Sequence, residues 1–287
     1  LKKLPKRKRN SNKGDFGKVL IIAGSDNMNG ACFLAAKAAY RIGAGLVKVL
    51  IPEDNRVIMQ TMLPEAILST YDKKKFIEKD LDHVLADISW ATSIVIGPGL
   101  GKDQKAEELV DLVLNNSKVP VIIDADGINI LSKKINKIIE KSESDTKDRI
   151  QVLKNLLPSQ TILTPHIKEL SRLLDKSVEE IKENILKVAN FCTHDNSIVF
   201  AIKDGRTIVA SKNKRYINLT GNNGMSTGGS GDVLSGIIGG LIAQKIDLLQ
   251  GTELAVYIHG LAGDIVAKEK NQYSLIASDL IEALAKI

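Results

Sequence analysis

Cysteine is nearly missing from this 287-residue chain: Cys32 and Cys192 lie far apart, outside any CxxC or Cys/His ligand spacing. That excludes a disulfide framework and a thiolate metal site, and it reads as two reduced, packed thiols of a cytosolic protein. No HExxH, paired Cys/His or EF-hand pattern occurs, so no metal cage held by protein side chains is visible. A Mg²⁺ is expected to enter bound largely through nucleotide phosphates. GxxxxGK[ST] is absent too, which removes the P-loop NTPases. The longest apolar run, 233–243, is too short and too broken by glycine to span a bilayer. The N-terminus carries charge without an apolar core, so it is not a secretory signal. The match of Asn218-Leu-Thr220 to a glycosylation sequon therefore stands alone. Aromatic residues make up 4% of the chain and do not interleave with a basic patch, which disfavours nucleic-acid binding.

What is present is ordinary for a globular protein: 44% hydrophobic and 26% charged residues. The formal charge of +6 comes from one end, since seven of the 40 basic residues and no acid lie in 1–13, leaving 33 against 34 acidic. Residues 1–13 read as a basic arm or linker, able to touch an acidic surface but more simply solvated. Numbering that starts at Leu rather than Met leads us to expect a preceding segment. No internal repeat or Pro/Gly/Ser linker divides the remainder, so 14–287 is expected as one α/β domain of three layers.

Apolar runs that end in small polar residues alternate with helical patterns. Lys18-Val-Leu-Ile-Ile-Ala-Gly-Ser25 reads as a buried strand opening into a loop, 31–42 as an Ala-rich helix, and 46–51 as the next strand. That is a βαβ unit and implies a parallel sheet. Further strands are expected at 93–96, 120–124 and 161–164, and helices at 76–88, 104–115, 168–174, 178–192, 253–268 and 277–285. Residues 198–203 and 206–210 flank Asp204-Gly205 and read as a hairpin with a two-residue type I′ turn. The Lys/Glu/Ser/Asp-rich stretch 131–160 reads as a helical or flexible surface insertion without chemistry.

In an open parallel sheet, ligands bind beyond the carboxyl ends of the strands. The loops there are Ala23-Gly-Ser25, Gly97-Pro-Gly-Leu-Gly101, Asp124-Ala-Asp126 and Thr164-Pro-His166. The second superficially resembles a dinucleotide fingerprint, but its Pro and short spacing argue against a Rossmann site. A separate stretch, 218–243, runs from Asn, Gly, Ser and Thr into an apolar helix pattern through Gly228-Gly-Ser-Gly-Asp232. A tight loop feeding a helix N-terminus leaves backbone N–H groups converging on one spot, a natural anion hole. Asp232 inside it has two readings: a base that deprotonates an attacking hydroxyl, or an acid favoured in the first turn by the helix dipole. His166 is either a structural histidine after a strand or a site residue. Asp124 and Asp126 either cap the following helix or line the site.

In combination these pieces resemble the ribokinase-like superfamily, and within it the NAD(P)H-hydrate dehydratases. The matching series is Lys13-Gly-Asp-Phe-Gly17, Ala23-Gly-Ser25, Gly43-Ala-Gly-Leu-Val47, Gly97-Pro-Gly-Leu-Gly101, Asp124-Ala-Asp126 with Asn129, Leu163-Thr-Pro-His166 with Glu169, the 203–207 hairpin, Asn223-Gly-Met225 and Gly228-Gly-Ser-Gly-Asp232. The resemblance implies a three-layer α/β/α ribokinase-like fold with a mostly parallel central sheet and an antiparallel hairpin at one edge. It implies a carbon–oxygen lyase of metabolite repair that uses ADP or ATP, with Mg²⁺, to dehydrate NADH or NADPH hydrate. Phosphorylating the ring hydroxyl makes it a leaving group, and elimination restores the ring double bond. Asp232 would be the catalytic base. Lys203, Asp204, Gly205, Arg206, Thr207, Gly228, Gly229, Ser230 and Gly231 would bind nucleotide. Ala31, Gly99, Gly101, His166 and Asp232 would bind the hydrate. A homo-oligomer is expected, and the family includes fusions to an N-terminal hydrate epimerase, whose cut end would explain the missing Met and the basic lead-in.

This chain departs from the family pattern in having Lys203-Asp204-Gly205 where Lys-Gly is common and Ser230 where Thr is usual. The competing readings are a kinase of the same superfamily acting on a vitamin-precursor alcohol, and a nucleotide sensor without catalysis. The Gly-Pro-Gly-Leu-Gly and Thr-Pro-His loops argue against the first, and an intact Gly-Ser-Gly-Asp argues against the second.

Overall fold

The computed structural model describes residues 4, 7, 9–73, 78–141, 148–193, 198–212 and 214–287, apart from the side chains of 78 and 79. Its strands are β1 (Lys18–Ile22), β2 (Leu46–Pro52), β3 (Ile67–Tyr71), β4 (Ser93–Ile96), β5 (Val121–Ile123), β6 (Thr161–Leu163), β7 (Val199–Ile202), β8 (Ile208–Ala210) and β9 (Arg215–Ile217). Its helices are α1 (Asn29–Arg41), α2 (Arg56–Met62), α3 (Glu78–Trp90), α4 (Gln104–Asn116), α5 (Asp126–Lys141), α6 (Arg149–Leu156), α7 (Ile167–Leu174), α8 (Val178–Glu183), α9 (Ile185–Thr193), α10 (Ser230–Ala243), α11 (Leu248–Glu269) and α12 (Ala277–Ala283).

Among the described residues the strands form one nine-stranded sheet in the order β3-β2-β1-β4-β5-β6-β7-β8-β9. Pairings from β3 to β7 are parallel, and β8 and β9 close that edge antiparallel. The strands are apolar on both sides because helices cover both faces. Val19 and Ile21 point into a core with α1, α10, α11 and α12, while Leu20 and Ile22 point into a second core with α3, α4, α5 and α7. Three layers, a mostly parallel sheet and an antiparallel edge are the architecture expected from the sequence.

Four local expectations are corrected. The connection after β7 is not a two-residue type I′ turn: Ile202 pairs with Ile208, so 203–207 form a five-residue loop. Neither Asp204 nor Gly205 has the positive φ that such a turn requires. The reason lies on the other side of β7, where the Lys203 N–H donates to Pro165 O at 2.8 Å and Lys203 bridges to His166. The stretch 131–160 is not a surface insertion, because Ile135, Ile150 and Leu153 are buried in the second core from α5 and α6; residues 142–147 lie outside the described residues. Lys-rich composition concealed that apolar stripe. The expected helix 178–192 is two helices, broken at Asn184. The basic arm is not wholly detached either: Leu4 packs on the first core and the Arg7 guanidinium donates to Gly43 O at 2.7 Å. The helix expected at 76–88 is α3, and 76 and 77 lie outside the described residues.

Helices α1 and α10 cross the first face in contact and in parallel. A Cβ on Gly236 would stand 2.1 Å from Ala35 O, and one on Gly240 would stand 2.9 Å from Ala39 O. Glycine on one helix and alanine on the other let the backbones touch. Stepping back one turn from that contact puts Asp232 level with Ala31, so both N-termini reach the carboxyl rim together.

Gly236→Ala and Gly30→Ala should therefore shift stability in opposite directions. The Gly236 methyl meets backbone and costs about 3 kcal/mol of overpacking, offset by about 1 kcal/mol of helix propensity. Gly30, also helical, has nothing within 4 Å of its would-be Cβ, so it keeps the propensity gain alone. Urea midpoints for the two variants check the sign of each.

Candidate active site

The rim is assembled by the sheet's own ladder running on past the strand ends. The Gly97 N–H donates to Ile22 O at 3.1 Å, Asp124 N–H to Ile96 O at 3.1 Å, and Thr164 N–H to Ile123 O at 3.2 Å. Each first loop residue is thereby held level with its neighbour, and the four loops read from the sequence do share one rim.

Asp124 is 1% exposed, and a carboxylate so deep needs partners. The Lys203 Nζ lies 2.6 Å from its Oδ1, and the Ser235 hydroxyl donates to its Oδ2 at 2.5 Å. Ala125 follows with φ 48°, a left-handed turn that a non-glycine residue rarely takes. It separates the roles of the two aspartates, because Asp126 opens α5 and accepts the Gly101 N–H at 3.0 Å. Burial works against the Lys203 ammonium, yet Asp124 and Glu169 together hold its pKa above the usual lysine value.

Asp232 is the third residue of α10, whose N-cap, Gly229, has φ 89° and lends no side-chain hydrogen bond. A Cβ at Gly229 would also come 2.5 Å from Leu34 Cδ1. The start of α10 therefore has no side-chain cap, and among the described residues only the Ser230 N–H is taken there, by Thr227 O at 3.4 Å, whereas α4, α7 and α11 are capped by Asp103, His166 and Asp247. A first-turn acid ordinarily ionises more readily. Here burial, then the neighbouring Asp124, push the Asp232 carboxyl up to about 7. Lys203 pulls the other way but is already committed to Asp124. A carboxylate with a pKa near neutrality is matched to general-base work.

His166 caps α7: its Nδ1 accepts the N–H of Lys168 at 3.0 Å and of Glu169 at 3.2 Å, while Glu169 accepts the His166 N–H at 2.9 Å. Two donors on Nδ1 place the proton on Nε2, which lies 3.3 Å from Glu169 Oε1. Burial and the Lys203 charge lower the His166 pKa, keeping the ring neutral. The structural reading of this histidine is realised, and the same ring borders the cleft.

A cleft of about 800 Å³ opens between the β7–β8 loop and α10, lined by Lys203, Asp204, Gly205, Arg206, Thr207, Ser230 and Gly231, with His166 at its edge. Gly228 and Gly229 precede its floor without lining it. Ala31, Gly99 and Gly101 gather elsewhere on the rim: a Cβ on Gly99 would meet that of Ala31 at 2.9 Å, and Gly101 faces Ser25. Thus the residues expected for nucleotide and those expected for hydrate form two adjacent groups. Asp232 stands between them, and His166 sides with the first group.

Two residues were not anticipated. Ser235, one turn after Gly231, was hidden in an apolar run, where a lone fully buried serine was the available signal. His259 on α11 lines the cleft 3.3 Å from Ser230 Oγ, and burial lowers its pKa to about 4. No cluster of three or more His, Cys, Asp or Glu side chains among the described residues is arranged to hold a metal. Nor is any described helix long and apolar enough to cross a membrane.

A mostly parallel sheet with an antiparallel edge, and an uncapped helix start holding an acid, define a ribokinase-like protein. The family described as NAD(P)H-hydrate dehydratase matches residues 19–286, and this chain belongs to it. The chain is 37% identical over 282 residues to the bifunctional NAD(P)H-hydrate repair enzyme Nnr of Coxiella burnetii, covering 98% of this chain and 52% of that protein. It spans about half the length of such bifunctional relatives. It is 35% identical to the ADP-dependent (S)-NAD(P)H-hydrate dehydratase of Listeria monocytogenes, covering 98% and 91% of the two chains. Among solved structures it is similar to the ADP/ATP-dependent NAD(P)H-hydrate dehydratase of Bacillus subtilis co-crystallised with ATP/Mg²⁺. That match has a TM-score of 0.78, 28% identity, and coverage of 99% and 92%.

Lys203→Met should lower stability by about 3 kcal/mol, since it strands a buried carboxylate. Adding Asp124→Asn should recover part of that loss, because the amide needs no counter-ion. Denaturant titrations of the two single variants and the double variant measure the coupling.

Proposed function

We propose that this chain dehydrates NADH or NADPH hydrate to NAD(P)H at the expense of a nucleotide phosphoryl group. The observation that carries this reading is the uncapped start of α10 with Asp232 inside it, level with Ala31 and beside the cleft. Family membership narrows the chemistry from alcohol phosphorylation in general to the hydrate.

In this reading the residues 203–207, with Ser230 and Gly231, hold the nucleotide so that its terminal phosphoryl faces the N–H groups of Gly228, Gly229 and Gly231 at the uncapped start of α10. Those donors and the positive end of the helix stabilise charge developing on the phosphoryl oxygens. Ala31, Gly99 and Gly101 seat the damaged ring, and His166 reaches the hydrate from the edge of the cleft. Asp232 takes the proton of the ring hydroxyl. The hydroxyl oxygen bonds to phosphorus as the bond to the departing nucleotide breaks. The carbon–oxygen bond then breaks, phosphate leaves, and loss of a proton from the adjacent ring carbon restores the double bond. Asp124 is engaged by Lys203 and Ser235, and among the described residues no cluster of three or more His, Cys, Asp or Glu side chains is arranged to hold a metal. Mg²⁺ is assigned to the nucleotide phosphates, as suits a cation that keeps its waters, and no step above is routed through it.

The same proposal places the protein in the cytoplasm, where both thiols stay reduced. It makes an NAD(P)H-hydrate epimerase, fused or separate, its functional partner, as in the bifunctional relatives, and a homo-oligomer its working form.

Incubation with NADH hydrate, Mg²⁺ and either ADP or ATP should restore absorbance at the NADH wavelength. Failure with both nucleotides, with phosphate transfer instead to a thiazole or pyrimidine alcohol, would replace this reading with the vitamin-precursor kinase. Asp232→Asn should bind nucleotide normally and lose at least about a hundredfold in kcat; an unchanged kcat removes Asp232 from the mechanism.

Because the base must be ionised, kcat/KM should rise with pH and level off above about 7. Stability runs the other way. The folded-state pKa of Asp232 is raised, so its contribution is fully present at acid pH and is lost as pH rises from about 4 through about 7. Asp232→Asn, which has no charge to bury, should melt higher than the parent at pH 8 and lose that advantage near pH 4, as calorimetry across pH would register.

A further inference from the structure

Asn29 opens α1 and is 8% exposed. Its Nδ2 and Oδ1 are both buried with no hydrogen-bond partner among the described residues. A buried amide left unpaired is expensive, and each such group in a folded protein calls for a reason. Helix capping is not the reason, since the N-cap of α1 is Met28 and no side chain bonds its first turn.

The place of the amide is informative. Oδ1 lies 3.5 Å from where a Cβ on Gly24 would stand, and the Gly24 N–H donates to Pro98 O at 2.9 Å. The amide therefore sits where the loops after β1 and β4 meet. There the strand order turns from β2-β1 to β4, the position at which open sheets form their binding crevice. Two residues on, Ala31 touches Gly99 and stands level with Asp232. Cys32, one turn from Asn29 on the same face, has its thiol pushed up to about 12 by burial and then by the charge of Asp232. Asn29 and Asp232 thus stand at two adjacent helix starts on the same rim. The nearby Asn55 is already bound to Ser25 O at 3.2 Å, which leaves Asn29 as the unpaired amide there.

We propose that Asn29 recognises the carboxamide of the damaged nicotinamide ring, amide to amide, with Nδ2–H donating to the carboxamide oxygen and the carboxamide N–H donating to Oδ1. The assignment rests on the dehydratase reading and extends it to a residue that fixes how the ring lies. A primary amide offers a donor and an acceptor side by side, and its matching group is another primary amide. A phosphate would leave Oδ1 facing a negative oxygen, and the ring hydroxyl is engaged by Asp232. No hydrogen bond holds the present rotamer, so turning the amide toward the ring breaks none.

The test compares NADH hydrate with the hydrate of the 3-acetylpyridine analogue, which keeps the carbonyl and lacks the amide N–H. The parent protein should favour the carboxamide substrate about tenfold in kcat/KM, one hydrogen bond's worth of discrimination. In Asn29→Ala, kcat/KM for NADH hydrate should fall about tenfold through KM, and the two hydrates should come within about twofold of each other. The KM for nucleotide should hold, and the melting temperature should not drop, since no protein bond is lost. Undiminished discrimination in Asn29→Ala overturns the assignment. So does a lowered melting temperature with an unchanged KM for the hydrate, which would mark Asn29 as structural. Absence of turnover in the parent protein with either hydrate overturns the dehydratase reading itself, and the assignment with it.

Discussion

The ion pair between Lys203 and Asp124 joins the end of β7 to the end of β5, and through Ser235 it reaches the first turns of α10. Lys203 also holds the end of β6 through its backbone bond to Pro165. Three strand ends and one helix are fixed by the side chains of Lys203, Asp124 and Ser235 and the backbone of Lys203, in a place where the ion pair must be satisfied or both of its charges are costly. The pair also sets the field. Asp124, Asp126, Glu169 and Asp232 crowd one rim, and the cation spends itself on the most buried of them. Asp232 is left with burial and like charge acting on it together, and that combination keeps a first-turn aspartate from ionising at its ordinary pH. Position and proton affinity in this site come from the same contact.

Close approach of α1 and α10 supplies the second requirement. Their seam is glycine against alanine, and its register makes the two helix starts coterminous at the rim. A bulkier seam would separate the axes and shift one N-terminus relative to the other, moving Asp232 away from Ala31. Residues in mid-helix, far from any ligand, therefore set the distance between the two groups of site residues.

Much of this was legible in the sequence, for physical reasons that also mark where legibility ended. Strands β1, β4 and β5 are covered on both faces, so their apolar runs are unbroken and end sharply in Gly or Asp. The loops that follow were readable as a rim because Gly, Asp, Thr and His interrupt otherwise unbroken apolar runs at the same end of each strand. By contrast, α2 and β3 went unrecognised. They form the sheet edge, where Val57 and Ile58 are exposed and Ser69 is buried, so hydrophobicity and burial part company. The three-residue β9 is too short for any period. The Asp204-Gly205 hairpin misled because local turn chemistry was overridden by a tertiary pairing on the far side of the strand. Asn29, Ser235 and His259 left little trace: what distinguishes them is an unpaired amide, a hydrogen bond from α10 to the end of β5, and a neighbour 29 residues away at Ser230.

Helix α10 begins without a side-chain cap, although its glycine N-cap and buried body are otherwise well determined. Its uncapped first turn is suited to an anion. An anion bound there would stabilise the fold by mass action, whether or not chemistry followed. On the function proposed, nucleotide supply would bear on how long the chain survives as well as on how fast the site turns over.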